Sequence, residues 1–302
     1  MQKTSDYFLL LTILIAFAAN SILNRLALKT TSINDVVAID PASFTAIRLA
    51  SGAIVLVLLL LMSGKKMSRP NVLHWRGSLF LFVYAITFSY AYISLDAAMG
   101  ALILFGVVQV CIIAIAIFRG KRLNTLEWVG CALAIIGLLV LTLPGMLSAS
   151  ATASSSHSFN ALAIMLMVIA GVAWGLFTVN GAGSKDSLFD TTTCFVLSLP
   201  FILLCVIVVI AKQSVILSVY GVVLAMLSGT LASGLGYAMW YQILPRLAPS
   251  QAASAQLLVP VVAAIGGFVF LSEQLTLNFI LASVLTLGGV LIVIKASSKK
   301  IV

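Results

Sequence analysis

The sequence predicts an all-α integral membrane protein of ten transmembrane helices, arranged as two inverted five-helix repeats. Three observations carry that prediction. First, ten almost purely apolar stretches of about 18–25 residues recur along the chain, and about 20 apolar residues are needed to cross ~30 Å of hydrocarbon as a helix. Second, 62% of the 302 residues are hydrophobic and 8% are charged, with a mean hydropathy of +1.20. A soluble domain carries about 25% charged residues. Third, the basic residues alternate between successive connections. Helices placed at 7–28, 42–62, 74–95, 97–118, 126–146, 160–180, 190–211, 215–244, 249–271 and 276–295 put thirteen of the 17 Lys and Arg on the side of the N-terminus. Those thirteen are Lys3, Lys65, Lys66, Arg69, Arg76, Arg119, Lys121, Arg122, Lys185, Arg246, Lys295, Lys299 and Lys300, leaving Arg25, Lys29, Arg48 and Lys212 for the other side. Basic residues in short loops stay cytoplasmic, so both termini are expected there, in an inner (plasma) membrane. The net charge of +9 is thereby read as a topology signal and not as a nucleic-acid footprint.

The first helix, 7–28, is too long for the apolar region of a cleavable leader, although Ala16, Ala18 and Ala19 resemble a cleavage site. It carries Asn20 and Asn24, four apart and therefore on one face. Two amides in a membrane helix call for partners on another helix or for water in a cavity. The second helix carries Arg48 about two turns in. A charge within a membrane helix is costly, so it marks a candidate site. Two readings stand for it: pairing with Asp40 or backbone carbonyls, or facing a cavity to attract a carboxylate or phosphate. Arg25, near the end of the first helix, is expected to snorkel to the interface.

The third helix contributes Tyr84, Tyr90 and Tyr92, and the fourth Gln109. The fifth closes the first half, and Trp174 lies near the centre of the sixth. The seventh offers no candidate. The eighth holds Tyr237, Trp240 and Tyr241 after a run of small residues, 228–236, in which Gly229 and Ser233 suit close helix packing. In the ninth, Gln256 and Pro260 share a face. Pro260 frees the Gln256 carbonyl, which marks a helix break and a gating candidate. Tyr7, Trp75 and Trp128 are read as interfacial anchors.

Residues 148–159 are rich in Ser and Ala and make a flexible linker. They divide the chain into a first repeat, 1–147, and a second, 160–297, followed by a short tail, 298–302. Residues 118–123 (Phe-Arg-Gly-Lys-Arg-Leu) face 270–275 (Phe-Leu-Ser-Glu-Gln-Leu) at an offset of 152, which also aligns Gly137 with Gly289. Five helices per half force the second half to enter from the opposite side, and inverted repeats typify alternating-access transporters.

Several segments resemble the EamA family of the drug/metabolite transporter superfamily. They are residues 41–52 (Pro-Ala-Ser-Phe-Thr-Ala-Ile-Arg-Leu-Ala-Ser-Gly), Ala173-Trp174-Gly175, Leu258-Val259-Pro260, and Leu271 to Thr276 around Glu273. The first half departs from the family pattern: Val108 and Gln109 stand where a proline is expected, Lys121 replaces the glutamate, and Asn20-Ser21 replaces an aromatic-glycine pair. The resemblance implies ten helices around a central cavity, with export or exchange of small metabolites such as amino acids. No Asp or Glu lies centrally in a predicted helix, so the embedded glutamate of the related small multidrug pumps has no counterpart.

The expected function is therefore a secondary transporter of a small metabolite, with Asn20, Asn24, Arg48, Tyr84, Gln109, Trp174, Tyr237 and Gln256 lining the path. Competing readings are a lipid-handling or non-transporting membrane protein, and a nucleotide-sugar-like transporter, which would need a more basic cavity than Arg25 and Arg48 provide. An enzyme would need a reactive cluster, and none is apparent. Cys111, Cys131, Cys194 and Cys205 sit in apolar segments without CxxC spacing, and His74 and His157 are far apart, so no metal or other cofactor is expected. The expected partners are a small-molecule substrate and the bilayer, not nucleic acid, and a monomer suffices for the layout.

Overall fold

The computed structural model describes residues 4–29, 37–64, 69–148, 161–182, 184–247 and 249–298. Ten of its helical stretches are long and apolar enough to span a membrane. Spans 1 to 7 are single α-helices: α1 (Thr4–Leu28), α2 (Pro41–Met62), α3 (Val72–Ala91), α4 (Ala97–Phe118), α5 (Thr125–Ser148), α6 (Ala161–Asn180) and α7 (Ser187–Ala211). Span 8 runs Val219–Arg246 and is composite: an α-helix Val219–Leu227, a π-helical segment Ser228–Leu235, a second α-helix Gly236–Ile243 and a closing 3-10 turn. Span 9 is broken into Pro249–Gln256 and Val259–Leu271, and span 10 is Leu277–Ser298. The Ser/Ala-rich linker falls almost wholly on 149–160, and the tail on 299–302. Both lie outside the described residues, as do Lys3, Lys65, Lys66, Lys299, Lys300, Asp35 and His157.

Local chemistry sets the span starts. Asp40 caps α2 by accepting from the Ser43 N–H at 2.9 Å, with Pro41 in the first turn. Asn71 and His74 form a reciprocal capping box on α3. Ser218 caps span 8 through the Gly221 N–H at 3.0 Å. Several predicted bounds shift by three or four residues, three of them with a local cause. The third helix ends at Ala91, because 92–95 form a turn, and the seventh starts at Ser187 behind its Asp186 cap. The eighth starts at Val219, because Leu217 instead forms an antiparallel bridge with Ile39.

Span 9 breaks just before Pro260. Pro260 has no N–H for the Gln256 carbonyl, and the chain tightens into i+3 bonds from Leu257 N–H to Ser254 O and from Leu258 N–H to Ala255 O.

Span 1 packs on spans 8 and 9, and span 6 packs on spans 3 and 4; spans 2 and 7, 4 and 9, and 5 and 10 pair with each other, and span 2 meets span 8 as span 3 meets span 7. Exchanging each span with the one five places on leaves that pattern unchanged, which is compatible with two related repeats. Spans 5 and 10 approach closely where Gly130 faces the Gly289 carbonyl; a Cβ there would lie 2.6 Å from that oxygen.

Candidate functional site

The sequence buries one cation far from any helix end, and the structure builds its polar core around it. Arg48 is 3% exposed. Its Nη2 donates to the Tyr84 hydroxyl at 3.0 Å and its Nε to Ser233 Oγ at 3.4 Å. Its Nη1 is buried and has no hydrogen-bond partner. The guanidinium carbon lies 5.4 Å from the Tyr84 ring centre and 5.3 Å from that of Phe88, within cation–π range. Asp40, offered by the sequence as its counter-ion, is engaged elsewhere: its carboxylate accepts from Ser43 N–H and from Ile216 N–H at 3.2 Å. The N-cap geometry consumes that charge.

The asparagines of α1 form the second layer. Asn20 Oδ1 accepts from Ser228 Oγ at 2.8 Å and from Ser233 Oγ at 3.4 Å, while its amide donates to the Ala232 carbonyl at 3.4 Å. Asn24 Oδ1 accepts from Ser89 Oγ at 3.0 Å, and Ser89 also bonds Thr45 at 2.9 Å. The amides are therefore paired across helices. The π segment is what brings Ser228 and Ser233 to the same asparagine. Gly229 permits that approach, since a Cβ on it would strike the Ser51 side chain and the Arg48 carbonyl.

Aromatic rings wall the cluster. Tyr84 and Trp174 lie 4.4 Å apart between ring centres, Trp174 and Tyr237 5.6 Å, and Tyr237 and Phe17 5.7 Å. Tyr241 stacks on Tyr237 at 6.2 Å and bonds Thr191 at 2.7 Å. Residues from spans 1, 2, 3, 6 and 8 thus meet at one place, drawn from both halves of the chain.

Of the sequence candidates, Asn20, Asn24, Arg48, Tyr84, Trp174 and Tyr237 come together here. Gln109 and Gln256 stand apart on spans 4 and 9. Those spans run antiparallel, since Glu273 beyond the end of span 9 reaches the start of α4. Pro260 sits just past the span 9 break. Sequence reading passed over Thr45, Phe88 and Ser89, and took Ser228 and Ser233 only as small residues suited to packing. Thr45 bonds the Pro41 carbonyl four residues back, as a helical threonine commonly does, and its link to Ser89 and that residue's link to Asn24 cross to other spans, which no local spacing signals.

Arg25 does not snorkel. It donates to the carbonyls of Tyr92 and Ile93 at 3.0 and 2.8 Å, pairs with Asp96 at 3.3 Å and faces Glu273 at 3.9 Å. Acceptors in the 3–4 turn take its Nη1 and Nη2, while its Nε is buried without a hydrogen-bond partner. Glu273 accepts from the N–H groups of Ala97 and Ala98, so it caps α4 across the bundle. With the Asp40–Ile216 tie, these contacts close one end. The opposite end is tied by His74 Nε2 to Asp190 at 3.0 Å and by Arg246 to Asp6 at 2.8 Å.

Comparison with known proteins agrees with this layout. The model of the EamA-like transporter family matches residues 161–295. An uncharacterized protein of Pseudomonas aeruginosa, PA1977, is 44% identical over 95% of this chain and 94% of its own. The Bacillus subtilis protein YoaV, described as an uncharacterized transporter, is 23% identical over 83% of this chain and 86% of its own. A solved crystal structure shares the fold with a TM-score of 0.61 and 19% identity, covering 93% of this chain and 97% of that one.

Proposed function

This chain belongs to the EamA-like transporter family, and from that premise we propose that it is a secondary transporter moving a small polar metabolite across the inner membrane. Transport is outward or by exchange, through alternating access between two inverted five-helix repeats. An amino acid is one small metabolite of this kind, and the charge preference of the site is taken up below. Arg48 anchors an anionic group, Asn20 and Asn24 hold the helices that frame it, and Tyr84, Trp174 and Tyr237 pack the apolar part. Gln109, Gln256 and the break at Pro260 belong to the path between the halves. Both termini are cytoplasmic in this scheme, following the basic connections.

The observation that carries the reading is the Arg48 guanidinium, buried among residues of five spans with an unpartnered Nη1 and without an acidic neighbour. An uncompensated cation is expensive inside a membrane protein, so its retention points to a ligand that completes it. No described carboxylate lies at mid-span, which supports uniport or exchange over proton antiport; a transport rate strongly driven by an imposed pH gradient would count against that. The test is efflux from proteoliposomes loaded with a labelled pool of amino acids and other metabolites. Selective release, reduced by Arg48→Ala, is the expected result. No release above protein-free liposomes would overturn the metabolite reading and bring lipid or xenobiotic substrates forward.

A further inference from the structure

We infer that the Arg48 site selects singly charged organic anions with a flat apolar body and disfavours zwitterions of the same shape. The inference rests on the transporter reading and narrows its substrate class. Its first support is the charge distribution. Among the described residues of the ten spans, every charged side chain other than Arg48 lies near a span end. Several of them are tied off in ion pairs: Asp6 with Arg246, Arg25 with Asp96, Glu127 with Lys121 and Asp190 with His74. The interior of the bundle therefore holds one positive charge and nothing to balance it. A bound monoanion makes the site neutral. A zwitterion or an uncharged ligand leaves it at plus one, and a dianion inverts it. Each of those leaves a net charge away from water, which is the costly condition.

Hydrogen-bond valence gives the second support. Nη1 of Arg48 has protons to donate and no acceptor. Tyr84 accepts from Nη2, so its own hydroxyl proton remains to donate beside it. The amide oxygens of the cluster already accept: Asn20 Oδ1 takes two serine hydroxyls and Asn24 Oδ1 takes Ser89. The cluster thus has donors to spare for a carboxylate, while Asn20 Oδ1 is filled and a single amide lone pair, on Asn24, is left to meet an ammonium. Tyr84, Trp174 and Tyr237, with neighbouring ring centres 4.4 and 5.6 Å apart, supply faces for a flat body.

Three probes of one shape separate the terms: 3-phenylpropanoate, phenylalanine, which adds only the ammonium, and 3-phenylpropanamide, which removes the charge. The measurement is competition in counterflow, with full-length protein in proteoliposomes preloaded with 3-phenylpropanoate. We expect 3-phenylpropanoate to compete at least about tenfold better than either analogue, since a site with committed polar groups rejects the wrong valence strongly. Arg48→Lys keeps the charge and should keep the order with weaker binding. Arg48→Gln should bring the three within roughly threefold of one another, and Tyr84→Phe should weaken the anion alone. Phenylalanine competing as well as 3-phenylpropanoate, or an order unchanged in Arg48→Gln, overturns the inference. So does carriage of none of the three. If the metabolite pool is still released in that last case, the transporter reading survives and only the charge selection falls.

Discussion

At the scale of single residues, Arg48 separates what stabilises the fold from what serves a ligand. A cation buried without an acid imposes a desolvation cost that two hydrogen bonds and two ring faces offset in part. Replacing it by an apolar side chain of similar length removes that cost. Arg48→Met is therefore expected to leave the thermal unfolding temperature in detergent unchanged or raised, by up to about 2 kcal/mol of stability, while abolishing transport. A clear fall in Tm would mean that the guanidinium holds the helices together and would remove the argument for a ligand. Arg48 stood out in the sequence as a candidate because a charge two turns into an apolar helix is costly, although pairing with Asp40 or backbone carbonyls was an open reading. Its partners were not legible there. The nearest acid in sequence is Asp40, yet Tyr84 lies 36 residues away and Ser233 lies 185 away, and no local pattern encodes such pairings. Arg25 was misjudged for the same reason: its acceptors are backbone carbonyls of the 3–4 turn, which exist only once α3 ends early at Ala91.

At the scale of elements, the span ends and the breaks follow from a few residue types, while the irregular segments follow from the neighbours. The break in span 9 was readable from Pro260, since a missing N–H acts within its own helix. The π segment of span 8 was visible only as a run of small residues. Gly229 meets α2 at backbone distance there, so Gly229→Ala must move backbone and not merely a side chain. We expect it to cost roughly 1–3 kcal/mol, as overpacking does, and to impair transport by shifting Ser233 from Arg48. Gly288 on span 10 has nothing within 4 Å of the position a Cβ would take, and Gly288→Ala should be neutral or stabilising by up to about 1 kcal/mol. Thermal melts of the two variants side by side check this; equal destabilisation would refute the close-approach account. The loop after span 9 makes a second element-level prediction. Burial raises the Glu273 carboxyl above its ordinary value, outweighing the Ala97 N–H that it accepts. The folded protein then keeps a proton that the unfolded chain has released, so this group's contribution to stability falls as pH rises from the ordinary carboxyl value through the folded one. The Tm difference between the natural protein and Glu273→Gln should accordingly shift against the natural protein over that rise. A flat difference would show that Glu273 is already fully ionised as the cap of α4.

At the scale of the whole molecule, the count of five spans on either side of a polar linker was legible, but the interleaving of the halves was not, because apolar periodicity says nothing about which helix a face will meet. That interleaving is what gives the two ends their meaning. At the Arg25 end, the start of α2 is tied to the start of span 8 by Asp40 and the Ile39–Leu217 bridge. At the other end, α3 is tied to α7 by His74 and Asp190, and span 1 to span 8 by Asp6 and Arg246. In an alternating-access cycle these two sets of ties oppose each other: weakening one end populates the state open there and closes the other. Cys194 reports on the second end, being buried beside the His74 carbonyl. With Cys111, Cys131 and Cys205 changed to alanine, Arg246→Gln should raise the rate at which N-ethylmaleimide labels Cys194 by roughly two- to fivefold, the scale of a lost half-exposed ion pair. Asp40→Ala should lower that rate, even though it also removes an N-cap. General loosening of the bundle would raise labelling in both variants, so opposite signs are the signature of two coupled ends, and a rise in both would refute the coupling.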